Sequence, residues 1–442
     1  MTAEQQTGPK RKLGLWMAIA LVVGNMIGSG VFLLPAALGA FGGISILGWV
    51  FTATGALLLA LVFARLSRMV PKAGGPYAYA RAGFGDFAGF LVAWGYWISI
   101  WSANAALGVA MVSYLSYFAP ALATKPWLAT GLVLSVLWLL TWVNARGVRE
   151  AGSVQLVTTV LKLLPLIAVA TFGLAFVDPG NFRPFNVSGT SGFSAVTASA
   201  ALTLWAFLGF ESATVPAEEI VDPERTIPRA TIIGTVFTAT LYILATVAVM
   251  GVIPPAVLAQ SGAPFGEAAE LMWGRWAGSI VAAGAVVSCF GALNGWILLQ
   301  GRVPYAAARD GVFPAVFARL SARETPVFGL VFSSVLVTGL LMLNFGAGLV
   351  DQFTFIILLA TLTALLPYTF ATMAELMLYI KDRDRFRGER LTGRCVIAGL
   401  GFAYSLWAIA GAGKEVIFWG FLLLLAGLPI YVWVAWRRSE TE

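Results

Sequence analysis

Histidine is absent from this chain, and cysteine occurs only twice, as Cys289 and Cys395. Without imidazole there is no histidine proton relay and no histidine metal site. Proton work, if any, falls to carboxylates, lysine or tyrosine. Two cysteines make neither a disulfide framework nor a thiolate cage, so no metal and no other cofactor is expected. Charge is scarce as well. Asp, Glu, Lys and Arg make up 11% of the 442 residues, where about 25% is ordinary for a soluble domain. No short apolar core is followed by a small-residue cleavage site, so no cleavable signal peptide is expected. A nucleophile–base constellation is missing, which argues against an enzyme. No ring of charged residues marks a pore, which argues against an ion channel.

What is present in abundance is apolar surface. Hydrophobic residues are 59% of the chain and gather into runs long enough to cross a bilayer. Twelve spans are expected, near 14–40, 43–67, 85–117, 126–146, 153–177, 194–218, 229–252, 275–300, 326–346, 351–380, 392–413 and 415–436. The fold class is therefore an all-α membrane protein with one transmembrane domain over 13–436. Residues 1–12 and 437–442 read as short polar tails.

The formal net charge is +7, and its placement says more than its size. Of the 28 Lys and Arg residues, only Lys125, Arg183, Arg275 and Lys414 fall in loops opposite the N-terminus, and Lys162 falls inside a span. The remainder share the side of the N-terminus. By the positive-inside rule both termini are cytoplasmic, and the basic balance needs no nucleic acid to explain it. The basic connection 381–394 reads as an orientation signal.

The most informative segment is Gly24-Asn25-Met26-Ile27-Gly28-Ser29-Gly30, set inside the first apolar run. A spanning helix hides every backbone group in its own ladder, and an opened ladder is tolerated only where it lines a cavity or is buried in protein. A second glycine break, Leu208-Gly209-Phe210-Glu211-Ser212, lies in the sixth span. The two breaks are five spans apart. Five is odd, so the second unit enters the membrane inverted. This is the pattern of a leucine-transporter-like 5+5 inverted repeat with broken helices 1 and 6. Repeat 1 covers about 13–177 and repeat 2 about 194–380, with helices 11 and 12 outside them at about 392–436.

Opened helices carry chemistry at their ends. Amides at Ser29 and Gly30 begin a half-helix and favour an anion such as a carboxylate. Carbonyls near Met26 and Ile27, and from Trp205 to Leu208, favour an ammonium group. Together they fit the head of a free amino acid. Trp205 stands at the second break, and Tyr96 and Trp296 are further aromatics for a pocket, with cation–π contact open to a cationic side chain. Some of the 16 tryptophans must serve as interfacial anchors instead. Asn104 either hydrogen-bonds substrate or bridges two helices. Glu211 is either a gate or proton site or a cap at the second half-helix, and Glu375 reads as interfacial. Lys162 is either a proton carrier, a fixed cation pinned to span 1, or a side chain that snorkels to the interface. The acidic stretch Glu218-Glu219-Ile220-Val221-Asp222-Pro223-Glu224-Arg225 reads as a solvated loop.

GNMIGSGVFLLP at 24–35, GGPYAYARAGFG at 74–85, LWAFLGFES at 204–212 and EEIVDPERTIPRA at 218–230 resemble the amino acid–polyamine–organocation (APC) superfamily, over nearly the whole chain. Within it the chain is similar to bacterial arginine/agmatine antiporters and basic amino acid/polyamine exchangers. The resemblance implies alternating-access exchange of a cationic amino acid such as arginine for a related amine, in a prokaryotic inner membrane. It implies that Ser29 and Gly30 bind the carboxylate, and that carbonyls of Met26, Trp205 and Leu208 take the α-amino group. Trp205 would cover the aliphatic chain and Asn104 would contact the guanidinium. Tyr96, Glu211 and Trp296 match gate positions, and Tyr77 matches a position linked to gating and pH sensing. Ala360 replaces a substrate-contacting serine, with Thr361 adjacent. Lys162 replaces a small apolar residue and resembles other branches, among them proton-coupled amino acid transporters and light-chain-type exchangers, whence the alternative of a proton-coupled symporter of neutral amino acids. Partners are the substrate and the bilayer. Related antiporters form homodimers, so a homodimer is an expectation carried by the resemblance alone.

Overall fold

Glycine opens the first apolar run where its spacing suggested. The computed structural model describes residues 13–72, 74–146, 151–214, 217, 220–346, 348–384, 386 and 391–439, with backbone alone over 151–160. Glu218 and Glu219 thus lie outside the described residues, as does the whole N-terminal tail 1–12. Helix α1 (Leu15–Met26) stops, and α2 (Ser29–Gly39) starts after a two-residue gap. At the gap the Gly28 amide turns back to the Met26 carbonyl at 3.0 Å instead of continuing the ladder.

The remaining regular elements among the described residues are all helices. Then come α3 (Ser45–Met69), the short α4 (Pro76–Phe84), α5 (Asp86–Leu115), α6 (Ala121–Thr124) and α7 (Pro126–Ala145). They are followed by α8 (Ala151–Thr171), α9 (Gly192–Leu204), α10 (Pro223–Val252), α11 (Pro255–Leu258), α12 (Pro264–Trp273) and α13 (Arg275–Arg309). The last are α14 (Val327–Leu343), α15 (Leu349–Lys381), α16 (Thr392–Gly411), α17 (Lys414–Leu425) and α18 (Gly427–Ser439). Among the described residues ten segments have the length and apolarity to cross a membrane, and Leu161–Phe176 and Val327–Leu343 are shorter apolar helices where the fifth and ninth spans were expected. The twelfth expected span is divided between α17 and α18, and α18 runs on to Ser439, past the expected boundary at 436.

The sixth span departs from expectation in kind. After α9 the chain tightens into a 3₁₀ turn at Trp205–Phe207, bends through Leu208–Glu211, and makes a second 3₁₀ turn at Ser212–Thr214. Within the described residues Glu211 is followed by that 3₁₀ turn and by no regular α-helix before α10. Gly209 has φ +107°, a conformation that costs other residues heavily.

The two breaks interlock. A Cβ on Gly30 would lie 3.0 Å from Ala206 Cα, and one on Gly209 would lie 3.1 Å from the Asn25 carbonyl carbon. The Tyr242 hydroxyl of α10 donates to the Met26 carbonyl at 2.7 Å. Helix α5 is buried almost end to end between α13 and α15 and forms the wall facing the breaks.

One face of the bundle is tied together by polar contacts. Leu13 pairs with Ile220, Arg68 donates to the Glu224 carbonyl at 3.0 Å, and Lys381 donates to the Ala82 carbonyl at 3.1 Å. Arg438 pairs with Asp86 at 2.8 Å. The two ends of the described chain therefore share a face. Glu375 is not interfacial: it is wholly buried, paired with Arg65 at 2.6 Å and accepting from the Tyr379 hydroxyl at 2.6 Å. A buried carboxylate requires such partners.

Candidate functional site

A narrow cavity of about 20 Å³ lies between the two breaks, walled by Met26, Ser29, Gly30, Trp205, Leu208 and Trp296. All six were expected at the site. Gly28, which belongs to the same break, also lines it, as do Asn25 and Leu107, which the sequence reading did not single out. Leu107 lies one turn beyond Asn104 on α5, a signal that could have found it. The volume admits little more than one water, so an amino acid enters only if side chains such as Trp205, Trp296 and Leu107 move.

The cavity has opposite polarity on its two sides. The amides of Ser29 and Gly30 open α2, and a helix's first amides have no intrahelical acceptor; among the described residues neither makes a backbone hydrogen bond. The Ser29 hydroxyl and the Trp205 indole N–H are buried donors without partners among the described residues. Across from them the Leu208 carbonyl receives no backbone hydrogen bond among the described residues. The Met26 carbonyl is less free than expected, since it accepts from both Gly28 and Tyr242.

The other expected site residues are placed differently. Tyr96 does not line the cavity: its hydroxyl donates to Glu211 Oε1 at 3.0 Å. Glu211 Oε2 accepts from the Tyr368 hydroxyl at 2.9 Å and the Gly209 amide at 3.1 Å. Three donors thus converge on one fully buried carboxyl that ties α5 and α15 to the sixth-span break. Tyr368 was missed, for nothing local marks it. Asn104 bridges helices, donating from Nδ2 to Gln300 Oε1 at 2.7 Å. Ala360 and Thr361 are buried outside the cavity, with the Thr361 hydroxyl unpartnered.

Lys162 does not snorkel. It is 1% exposed, and its ammonium donates to the Gly24 carbonyl at 2.6 Å and the Ile27 carbonyl at 2.5 Å. Gly24 O would serve the Gly28 amide in an unbroken helix. The break diverts that amide to Met26, and the lysine takes its place.

On the face shared by the chain ends, the Tyr77 hydroxyl donates to Asp310 Oδ2 at 2.9 Å, and Arg81 bridges Asp310 at 3.0 Å and Asp86 at 2.8 Å. Burial first, and the hydrogen bond to Asp310 second, hold the Tyr77 phenol well above its ordinary range. The raised value keeps the neutral donor at every pH below the ordinary phenol range of about 10, and its contribution is lost only as pH rises beyond that. Tyr77→Phe should therefore change transport rate but leave the shape of the pH–rate profile between about pH 5 and pH 8 untouched. A displaced midpoint in that range would show that Tyr77 itself titrates there.

With this geometry in hand, the comparisons with known proteins are specific. The family model described as amino acid permease matches residues 13–429. A cadaverine/lysine antiporter of Escherichia coli (strain K12) is 34% identical over 432 residues, covering 95% of this chain and 94% of its own length. A putrescine transporter PotE of Haemophilus influenzae is 31% identical over 427 residues, covering 96% and 98%. The PotE of Escherichia coli (strain K12) is 32% identical over 421 residues, covering 95% of each. Family match, apolar spans and a polarised cavity between opened helices agree, and the chain belongs to the amino acid permease family of the APC superfamily, a multi-pass membrane transporter.

Proposed function

We propose that this protein exchanges a cationic amino acid for a related diamine by alternating access across a prokaryotic inner membrane, with both termini in the cytoplasm. The observation that carries the reading is the pairing of free Ser29 and Gly30 amides with the free Leu208 carbonyl, between Trp205 and Trp296. Amides suit a carboxylate, a carbonyl suits an ammonium, and the indole faces suit the rest of a cationic chain. Relatives named for lysine, cadaverine and putrescine support a basic substrate, and move the preference from arginine toward lysine-like substrates.

The architecture proposed for this work has twelve crossings, counting the two shorter apolar helices, with spans 1–5 and 6–10 as inverted repeats. Spans 1, 2, 6 and 7 would rock against 3, 4, 8 and 9. Tyr77 and Glu211 are assigned to gating, Lys162 to holding the first break open, and a homodimer is the proposed assembly. The test is counterflow in proteoliposomes. Labelled lysine should enter only vesicles preloaded with lysine or cadaverine. Uptake into empty vesicles driven by a pH gradient would replace the exchanger with a proton-coupled symporter acting through Lys162.

A further inference from the structure

A second opening lies outside the cavity, on the face shared by the chain ends. It is a groove of about 370 Å³ between the end of α15 and the start of α16, and Leu376, Tyr379, Ile380, Arg383, Phe386 and Leu391 line it. Its floor is aromatic. Tyr379 and Phe386 are buried and meet edge to face, with ring centroids 4.9 Å apart. Ile380 of α15 and Val396 of α16 are exposed beside it. Both helices belong to apolar spans, so their exposed apolar side chains face lipid.

The lip of the groove is positive. Arg383 is exposed there, and among the described residues its guanidinium makes no hydrogen bond or ion pair. Arg394, in the first turn of α16, stands beside the Tyr379 hydroxyl and the Glu375 carboxylate. Asp382 and Asp384 are exposed neighbours of the opposite sign. Over 381–394 six Lys and Arg stand against three Asp and Glu, so the balance is positive. An inorganic anion would leave the apolar floor wet, and a neutral lipid would leave Arg383 without a counter-charge. A lipid that carries a net negative headgroup satisfies both.

We propose that this groove binds an anionic phospholipid of the leaflet at the chain-end face, with its phosphate on Arg383 and the start of an acyl chain against Leu376, Ile380 and Phe386. Basic pockets between spans hold anionic headgroups by the same combination of charge and apolar contact. The occupant lies against Tyr379, whose hydroxyl donates to Glu375, the partner of Arg65 on α3. Bound lipid therefore braces the buried tie between α15 and α3 and raises the resistance of the bundle to unfolding. The site stands apart from the substrate cavity and does not depend on what is exchanged there.

The experiment titrates the full chain, in an uncharged detergent, with dioleoylphosphatidylglycerol and reads the thermal unfolding midpoint. The midpoint should rise and saturate, and dioleoylphosphatidylcholine at equal concentration should raise it less. In Arg383→Gln the half-saturating concentration should increase about fivefold, the contribution of one basic side chain at an anionic lipid surface. Arg319→Gln, which removes an exposed arginine from the loop after α13, should leave it unchanged. If Arg383→Gln fails to fold, Ile380→Ser carries the test, since it weakens the apolar contact without touching charge and should also increase the half-saturating concentration. No saturable rise, equal protection by the two lipids, equal protection by inorganic phosphate, a loss in Arg319→Gln as large as that in Arg383→Gln, or unchanged affinity in either groove variant overturns the proposal.

Discussion

Replacing Lys162 with methionine should reduce exchange by two orders of magnitude or more. The ammonium satisfies two carbonyls, Gly24 O and Ile27 O, at a break where the chain offers them no backbone donor. Hydrogen bonds to a charged group are worth about 1.5–3 kcal/mol each. Losing both removes at least about 3 kcal/mol from the opened conformation, or roughly a hundredfold in its population. Methionine keeps the volume while deleting the donors, so counterflow rate and substrate affinity should fall together. Near-wild-type counterflow in Lys162→Met would remove the lysine from the break. Lys162→Arg adds a second distinction, because guanidinium does not give up its proton in proteins. Exchange retained by arginine means that the site needs a cation and not a proton carrier.

The second large effect is expected at Glu211, and it depends on which residue replaces it. Alanine strands the Tyr96 and Tyr368 hydroxyls and the Gly209 amide, three buried donors that converge on one carboxyl. Each unpaired buried donor costs about 1–3 kcal/mol, so Glu211→Ala should lower the thermal unfolding midpoint in detergent and abolish exchange. Glutamine retains one oxygen for two of these donors, and a tyrosine hydroxyl can rotate to accept from its NH₂. Glu211→Gln should therefore fold almost as well as wild type, with any loss of exchange attributable to the missing charge. Equal stability of the alanine and glutamine variants would show that the three donors find other partners and that the convergence has no structural weight.

The contrast between these two residues explains what could be read from sequence. Both breaks were legible because glycine spacing is a local property, and Ser29, Gly30 and Trp205 are adjacent to it. The snorkelling option for Lys162 could not be dismissed from sequence, because its partners are backbone carbonyls 138 and 135 residues away, and backbone atoms leave no mark in residue identity. Glu211 was left open between a gate or proton site and a cap at the second half-helix. Apolar periodicity does not distinguish an α-turn from the 3₁₀ turns that form here, so its real partners, two tyrosines from other spans, stayed hidden. Glu375 was misplaced for a similar reason. Its position near a span end suggested water, whereas Arg65, 310 residues away in sequence, reaches it from α3. Asn104 kept two readings open, and its bond to Gln300 satisfies one end of the amide only.

The close meeting of Gly30 with Ala206, and of Gly209 with Asn25, has a consequence for how such a protein changes its diet. The two opened segments are in backbone contact and cannot be spread to admit a bulkier cargo without losing the fit that holds them open. Nor can a side chain be added at either glycine to shrink the space. The floor of the cavity is rigid in size, and only the opposite wall is adjustable. Substitutions at Leu107 and Trp296, which come from helices outside the interlocked pair, are where a lineage would tune the length of the space while leaving the backbone fit of the two breaks untouched.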